Sequence, residues 1–192
     1  MNLSTLVKMS RSYRRFDESY RIDGEILRGL LQLAQYSPTG NNMQPLKFWL
    51  SNTPEMNNLI FPHLGWAGSL KDWKGPKEGE RPSAYIIILG DRNIQFSFGV
   101  DHGIAAQSIM LGVAEKGLGG CMIGSAKREG LRKDLNIPEG YKILLVLAIG
   151  KPVETVVTET MKADGQVGYY RDTDGVHHVP KRSLDDLIVH DV

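Results

Sequence analysis

Apolar residues in this chain follow two periods, and the changes between them mark the elements. Ile26, Leu27, Leu30, Leu31 and Ala34 fall on one face of a helical repeat. Asp23 stands where an N-cap belongs, and Ile22 and Leu27 have the spacing of a hydrophobic staple. The helix is predicted to end near Tyr36, where Pro38 and Gly40 stop it. Lys47–Ser51 reads as a short strand, and Thr53-Pro54 as a cap with proline in the first helical position, opening a helix to about Phe61. Ala84–Leu89 is apolar at nearly every position, the pattern of a strand covered on both faces. Phe98–Lys116 is the longest predicted helix and is apolar or small nearly all round, which predicts a central or intersubunit position. Gly117 suits its C-terminal cap, with Lys116 placed against the helix dipole. Gly120–Ile123 is a candidate short strand, Lys127–Leu135 an amphipathic helix and Tyr141–Ile149 a buried strand.

Two stretches break the alternation. Leu64–Pro82 is rich in glycine, lacks a period and carries Trp66 and Trp73; irregular loops this long are usually functional or mobile. Trp66 and Trp73 are read as anchors of that loop in preference to substrate-stacking groups. From about Lys151 to the end the chain is polar, and Asp174-Gly175 marks a tight turn within a hairpin-like segment, Tyr169–Pro180. With no internal repeat, the pattern predicts a single domain over residues 1–192, of α+β or α/β class with a small sheet among helices, and a polar C-terminal extension over about 151–192.

Composition narrows the function classes. The 192 residues are 41% hydrophobic and 23% charged with net charge +1, which argues against an obligate nucleic-acid coat or a polybasic membrane anchor. The longest apolar runs are too short to cross a bilayer. The N-terminus lacks the apolar core of a secretory signal. Cys121 is the only cysteine, so an intramolecular disulfide or a multi-cysteine metal site is excluded. The expectation is a cytoplasmic globular protein.

The candidate chemistry lies in polar clusters. Arg11, Ser12, Arg14 and Arg15 form the densest basic group; arginine forks match phosphate oxygens and Ser12 adds a hydroxyl, although such a run alone is more often a solvated turn. Ser37-Pro38-Thr39-Gly40-Asn41-Asn42-Met43-Gln44-Pro45 offers amides, a hydroxyl and backbone groups from a stiff loop, and alone would be a turn. Gly117–Gly124 is glycine-rich but follows a helix and enters a strand, so it is not a dinucleotide fingerprint and alone would be a helix cap. Lys181 and Arg182 follow Pro180, as candidate anion ligands or as a solvated pair.

These segments together resemble the nitroreductase family. Arg11–Phe16 is similar to its R-S-x-R-x-F segment, and Ser37–Pro45 to its S-P-S/T-x-x-N-x-Q-P segment, with Leu46 where many relatives have tryptophan. The resemblance implies an α+β nitroreductase-like fold, a central antiparallel or mixed sheet flanked by helices, assembled as an intertwined homodimer with FMN at the subunit interface. It implies Arg11 and Ser12 at the ribityl phosphate with Tyr13 beside them, and Arg14 at the polar edge of the isoalloxazine ring. Pro38, Thr39 and Gly40 would lie along the ring, with Asn42 and Gln44 giving amide contacts, all from the neighbouring subunit. Backbone groups of Met122, Ile123 and Gly124 would face N5 and O4, and Lys181 and Arg182 would close over the phosphate. The implied activity is reduction of nitroaromatic, quinone or related small-molecule acceptors, with tightly bound FMN taking hydride at N5 from NADH or NADPH. A dehalogenase-like enzyme or a flavin-binding regulatory protein is the alternative.

Other features are read as structural. His177 and His178 are adjacent, so in a strand they face opposite sides and cannot chelate one metal. Cys121 sits in an apolar context as an inert core residue, and no metal spacing or serine-hydrolase motif is present. Lys71 and Lys74 are weaker candidates for the ring or the nicotinamide substrate.

Overall fold

The computed structural model describes residues 1–191. Its elements run α1 (Leu3–Met9), β1 (Phe16–Asp17), α2 (Gly24–Gln35), β2 (Leu46–Ser51), α3 (Pro54–Ile60), β3 (Ala84–Asp91), α4 (Asp101–Glu115), β4 (Gly119–Ile123), α5 (Arg128–Asp134), β5 (Tyr141–Pro152), β6 (Val156–Thr160), β7 (Tyr170–Arg171) and β8 (His177–Lys181). The long strand β5 is the centre of a five-stranded antiparallel sheet, with β3 on one edge, β4 on the other and β1 at its end. Strand β2 extends the sheet beyond β3.

The apolar run of β3 is divided between two cores. Ala84, Ile86 and Ile88 face α2 and α4, whereas Tyr85, Ile87 and Leu89 face the side of α3 and α5. The register against β5 shifts between Ile88 and Leu89. That irregularity lets Ile143 share a face with Val146 and Ala148, two positions of the opposite parity. Both faces are covered, as the uninterrupted apolar sequence predicts.

The start and stop signals fall where expected, although Asp23, at the N-cap of α2, makes no side-chain capping hydrogen bond. Ile22 and Leu27 are both buried in the first core, as the staple requires. The Thr53 hydroxyl accepts from Met56 N, and Pro54 opens α3. Gly117 ends α4 with φ of +66°. Helix α4 begins at Asp101, not Phe98, because Gly99 takes φ of +45° and breaks the helical path. Its apolar surface is largely covered within the chain, by α2, α1 and the sheet. The all-round apolar pattern is therefore explained inside one subunit and gives no separate argument for a partner. Helices α2 and α4 cross at Gly112, where a Cβ would come within 2.4 Å of Leu33 and 2.9 Å of Leu30.

The C-terminal extension folds further than its polar composition suggests. The hairpin β7–β8 forms, turning through Gly175 at φ of +80°. Strand β6 adds to it in parallel, giving a second sheet in the order β6-β8-β7. The irregular loop after α3 is tied down: Trp66 packs on the second core, and the Ser69 N–H donates to the Tyr169 hydroxyl at 3.3 Å. The Arg171 guanidinium lies 4.9 Å from the centre of the Trp73 ring. Both tryptophans act as anchors.

Candidate functional site

Residues 10–15 form an arm between α1 and β1 that lies along the start of β4. Tyr13 N–H donates to Gly120 O at 2.9 Å, and Ser12 bridges to Gly120. The arm comes this close because β4 opens on two glycines. A Cβ at Gly119 would sit 2.6 Å from the Tyr13 ring, and one at Gly120 would sit 2.7 Å from Ala148 O. Burial against this surface raises the Tyr13 phenol pKa. The glycine-rich segment is thus a docking surface as well as a helix cap.

The small C-terminal sheet packs over the arm from the other side. Glu154, with a side chain 1% exposed, accepts from the backbone N–H groups of Arg14 and Arg15 and pairs with Arg171 at 2.8 Å. Arg14 is buried, donates to Ser12 O at 3.1 Å, and stacks 4.6 Å from the centre of the Tyr169 ring. Its Nη1 is also 3.1 Å from His177 Nε2. Burial, and then the neighbouring Arg14 charge, push the His177 pKa down to about 4, so the ring is neutral. Arg15 turns away to Glu80, 2.5 Å distant.

Arm, strand and small sheet enclose a cavity of about 320 Å³. Arg11, Ser12, Arg14, Met122 and Lys181 line it together. These residues come from separate parts of the sequence, and no carboxylate among the described residues joins them in the wall. A wall of guanidinium, ammonium and hydroxyl groups suits an anionic ligand rich in acceptors, such as a phosphorylated cofactor. Among the described residues, no group of three His, Cys, Asp or Glu side chains could hold a metal ion.

The Ser37–Pro45 loop stands elsewhere in the same chain. Thr39 and Gln44 border a separate cavity of about 570 Å³ beside α2. Asn41, Asn42 and Gln44 all have positive φ, of 50°, 54° and 52°. The loop is pinned by Asp101, whose Oδ1 accepts from Gly40 N at 3.0 Å, and by a 2.7 Å bond between Ser37 and Ser108 hydroxyls. Pro38, Gly40, Asn42 and Gln44 are exposed. Within one chain the loop and the arm therefore border separate cavities.

The remaining predicted residues divide by strand parity. Lys181 lines the 320 Å³ cavity, whereas Arg182 lies past the end of β8 and is exposed. Met122 faces the cavity, and the Ile123 side chain is buried in the second core; Gly124 is exposed just beyond β4. Cys121 is buried in that same core and its thiol pKa is raised by burial, as befits an inert residue. Tyr169, His177 and Val179, with Gln107 and Met110 from α4, also line the cavity and were missed. Residues 177, 179 and 181 share one side of a strand, so the placement of Lys181 would have implied His177 once β8 was known.

Residues 7–151 match the model of the Nitroreductase family. The chain belongs to the nitroreductase family. The matched residues include the arm, the Ser37–Pro45 loop and β4, and end before the small C-terminal sheet. YodC of Bacillus subtilis (strain 168), for which an NAD(P)H nitroreductase activity is proposed, is 25% identical over 183 residues, covering 80% of this chain and 91% of YodC. Solved members share the fold. A nitroreductase family protein from Clostridium difficile 630 superposes with a TM-score of 0.70 at 18% identity, covering 100% of this chain and 99% of its own. An FMN-dependent nitroreductase from Clostridium difficile R20291 gives 0.67 at 22% identity, covering 98% of both chains. A protein from Exiguobacterium sibiricum 255-15, solved in complex with FMN, gives 0.66 at 19% identity over 80% of this chain and 90% of its own.

Proposed function

We propose that the protein is a cytoplasmic FMN-dependent oxidoreductase that uses NADH or NADPH to reduce a nitroaromatic, quinone or related small acceptor. The observation that carries this reading is the convergence of Arg11, Ser12, Arg14 and Lys181 on one cavity free of carboxylates. YodC's proposed activity and the FMN in related structures point the same way. When bound, FMN supplies the redox chemistry, taking hydride from the nicotinamide and passing it to the acceptor.

The chain's own part is binding and electrostatics. Arg11, Ser12 and Lys181 hold the phosphate. Arg14 places fixed positive charge beside the ring's polar edge, where reduction builds negative charge. Glu154 and Tyr169 hold Arg14 in place, and the small sheet shields that edge from water. Backbone groups of Met122, Ile123 and Gly124 serve the ring's central edge. No side chain needs to act as acid or base.

The exposed Ser37–Pro45 loop fits a homodimer in which Pro38, Thr39, Gly40, Asn42 and Gln44 of each chain complete the other chain's site. Its distance from the arm within one chain supports that arrangement. Purified protein should be yellow, and anaerobic NADH or NADPH should bleach it. Oxidation of NAD(P)H should accelerate with a nitroaromatic or a quinone. A colourless protein that FMN cannot reconstitute would overturn the reading. Bound FMN without accelerated turnover would favour a flavin-binding regulatory role.

A further inference from the structure

Three of the side chains that line the 320 Å³ cavity, Arg11, Arg14 and Lys181, are cations. Guanidinium and ammonium groups donate hydrogen bonds and cannot accept them. Helix α4 supplies a group of complementary chemistry. Gln107 and Met110 stand three positions apart on one helix face, and both line the cavity. Ala106 and Ile109 beside them are fully buried, whereas Gln107 is exposed. Its amide makes no hydrogen bond to another described residue. Among the described residues it is the only side-chain carbonyl in the wall. Its place along the wall follows from Met110, one turn on. The Ser10 hydroxyl donates to Met110 O at 3.4 Å, and a Cβ on Gly120 would come within 2.8 Å of the Met110 methyl. Gln107 therefore lies towards Ser10 and Arg11, whereas Arg14 is held on the side of the small sheet by Tyr169 and His177.

We infer that Gln107 is a specificity-determining residue that reads the hydroxyl chain of the ligand, accepting from its O–H groups through the side-chain carbonyl. The inference rests on the reading of this cavity as the FMN site, where a ribityl chain joins the ring to the phosphate. Each hydroxyl of such a chain offers one hydrogen as well as lone pairs. The cations of the wall satisfy lone pairs and leave the hydrogens without acceptors, which costs affinity once water is displaced. Gln107 supplies the acceptor on the side of Arg11, next to the phosphate. A carboxylate at this position would accept equally well, but its charge would repel the phosphate and offset Arg11. A neutral amide lets one wall take both a phosphate and hydroxyl groups.

Three flavins separate the parts of the ligand. FMN carries ring, ribityl chain and phosphate; riboflavin lacks the phosphate; lumiflavin has a methyl group in place of the chain. Their affinities for wild-type protein, Gln107→Leu and Gln107→Glu are read by quenching of flavin fluorescence. Both substitutions place good helix formers at an exposed position, so both variants should fold. Gln107→Leu should weaken FMN and riboflavin by the same factor, about tenfold, and leave lumiflavin unchanged. Gln107→Glu keeps the acceptor, so riboflavin should bind as to wild type while FMN weakens about tenfold through repulsion of its phosphate. A merely structural role for Gln107 would not be rescued for riboflavin alone. Wild-type protein that binds FMN while Gln107→Leu matches it would overturn this inference alone. Equal loss of all three flavins in Gln107→Leu, or equal loss of FMN and riboflavin in Gln107→Glu, would do the same. Wild-type protein that fails to bind FMN would overturn the cofactor reading along with it.

Discussion

Glu154 and Arg171 form a 2.8 Å ion pair in which the glutamate side chain is only 1% exposed. The same carboxylate accepts the backbone N–H groups of Arg14 and, at 3.1 Å, Arg15. One residue between β5 and β6 thus fastens the basic arm and the small sheet to each other. Replacing it by glutamine keeps its shape and leaves the Arg171 charge without its partner. Glu154→Gln should lower unfolding free energy by roughly 2–4 kcal/mol. Urea denaturation checks this, and an unchanged midpoint would contradict it. FMN retention should fall in the same variant, since the arm loses its backbone acceptor.

Acid should destabilise the protein through His177. Its folded pKa is pushed from 6.5 to about 4, by burial first and by Arg14 next, with Glu154 opposing and Arg171 and His178 adding to the shift. The unfolded chain therefore takes up a proton that the folded chain refuses. Stability is unaffected above pH 6.5 and falls as pH drops from 6.5 towards 4, by on the order of 3 kcal/mol at full effect. His178 works in the opposite sense. Hydrogen bonding to Asp172 raises its pKa, so its stabilisation is present below 6.5 and is lost as pH rises through the folded value. Urea unfolding at several pH values should show a flatter acid limb for His177→Gln and a steeper one for His178→Gln.

The Ser37–Pro45 loop offers a way to separate backbone from side chain. Asn42 and Gln44 sit at φ of 54° and 52°, a region that glycine occupies without strain. Asn42→Gly and Gln44→Gly should leave stability within about 1 kcal/mol of the parent. On the reading that the loop completes a neighbouring chain's site, each should nevertheless weaken FMN retention several-fold. Flavin release measured by dialysis decides the matter; full retention in both variants would reduce the loop to a turn.

Gly119 is predicted to be intolerant of any side chain. A Cβ there would lie 2.5 Å from Pro152 and 2.6 Å from the Tyr13 ring. Gly119→Ala should cost about 1–3 kcal/mol and displace the arm. Thermal unfolding should reveal the first effect, and loss of FMN affinity the second. By contrast Gly124, where a Cβ meets nothing within 4 Å, should accept alanine with little change in stability.

The sequence made the main sheet and its helices legible because each carries a period and a cap. Ile22 with Leu27, Thr53-Pro54 and Gly117 are local signals, and local geometry obeyed them. Helix α1 was missed because none of its residues is buried, so its apolar positions carried little core signal. Strand β6 was missed for a related reason: its half-buried, polar residues acquire their pairing only from β8, a partner about twenty residues on. The resemblance pointed to the arm, Lys181 and Met122, which the structure brings to one cavity. His177 was missed, because its meaning comes from Arg14, 163 positions away in sequence. Adjacency to His178 invited a question about metals, whereas the useful question concerned strand parity.

The parts of the candidate cavity are far apart in sequence. The arm at residues 11–14 is fixed by Glu154 and His177, 140 and 163 positions away. Contacts of such separation form only after the intervening chain has paid its loop-closure entropy. The basic arm therefore keeps its charges solvated until the main sheet has brought β5 and the small sheet beside it. The cavity thus reports on long-range order: a molecule whose cores are intact but whose small sheet has frayed would hold an anion weakly.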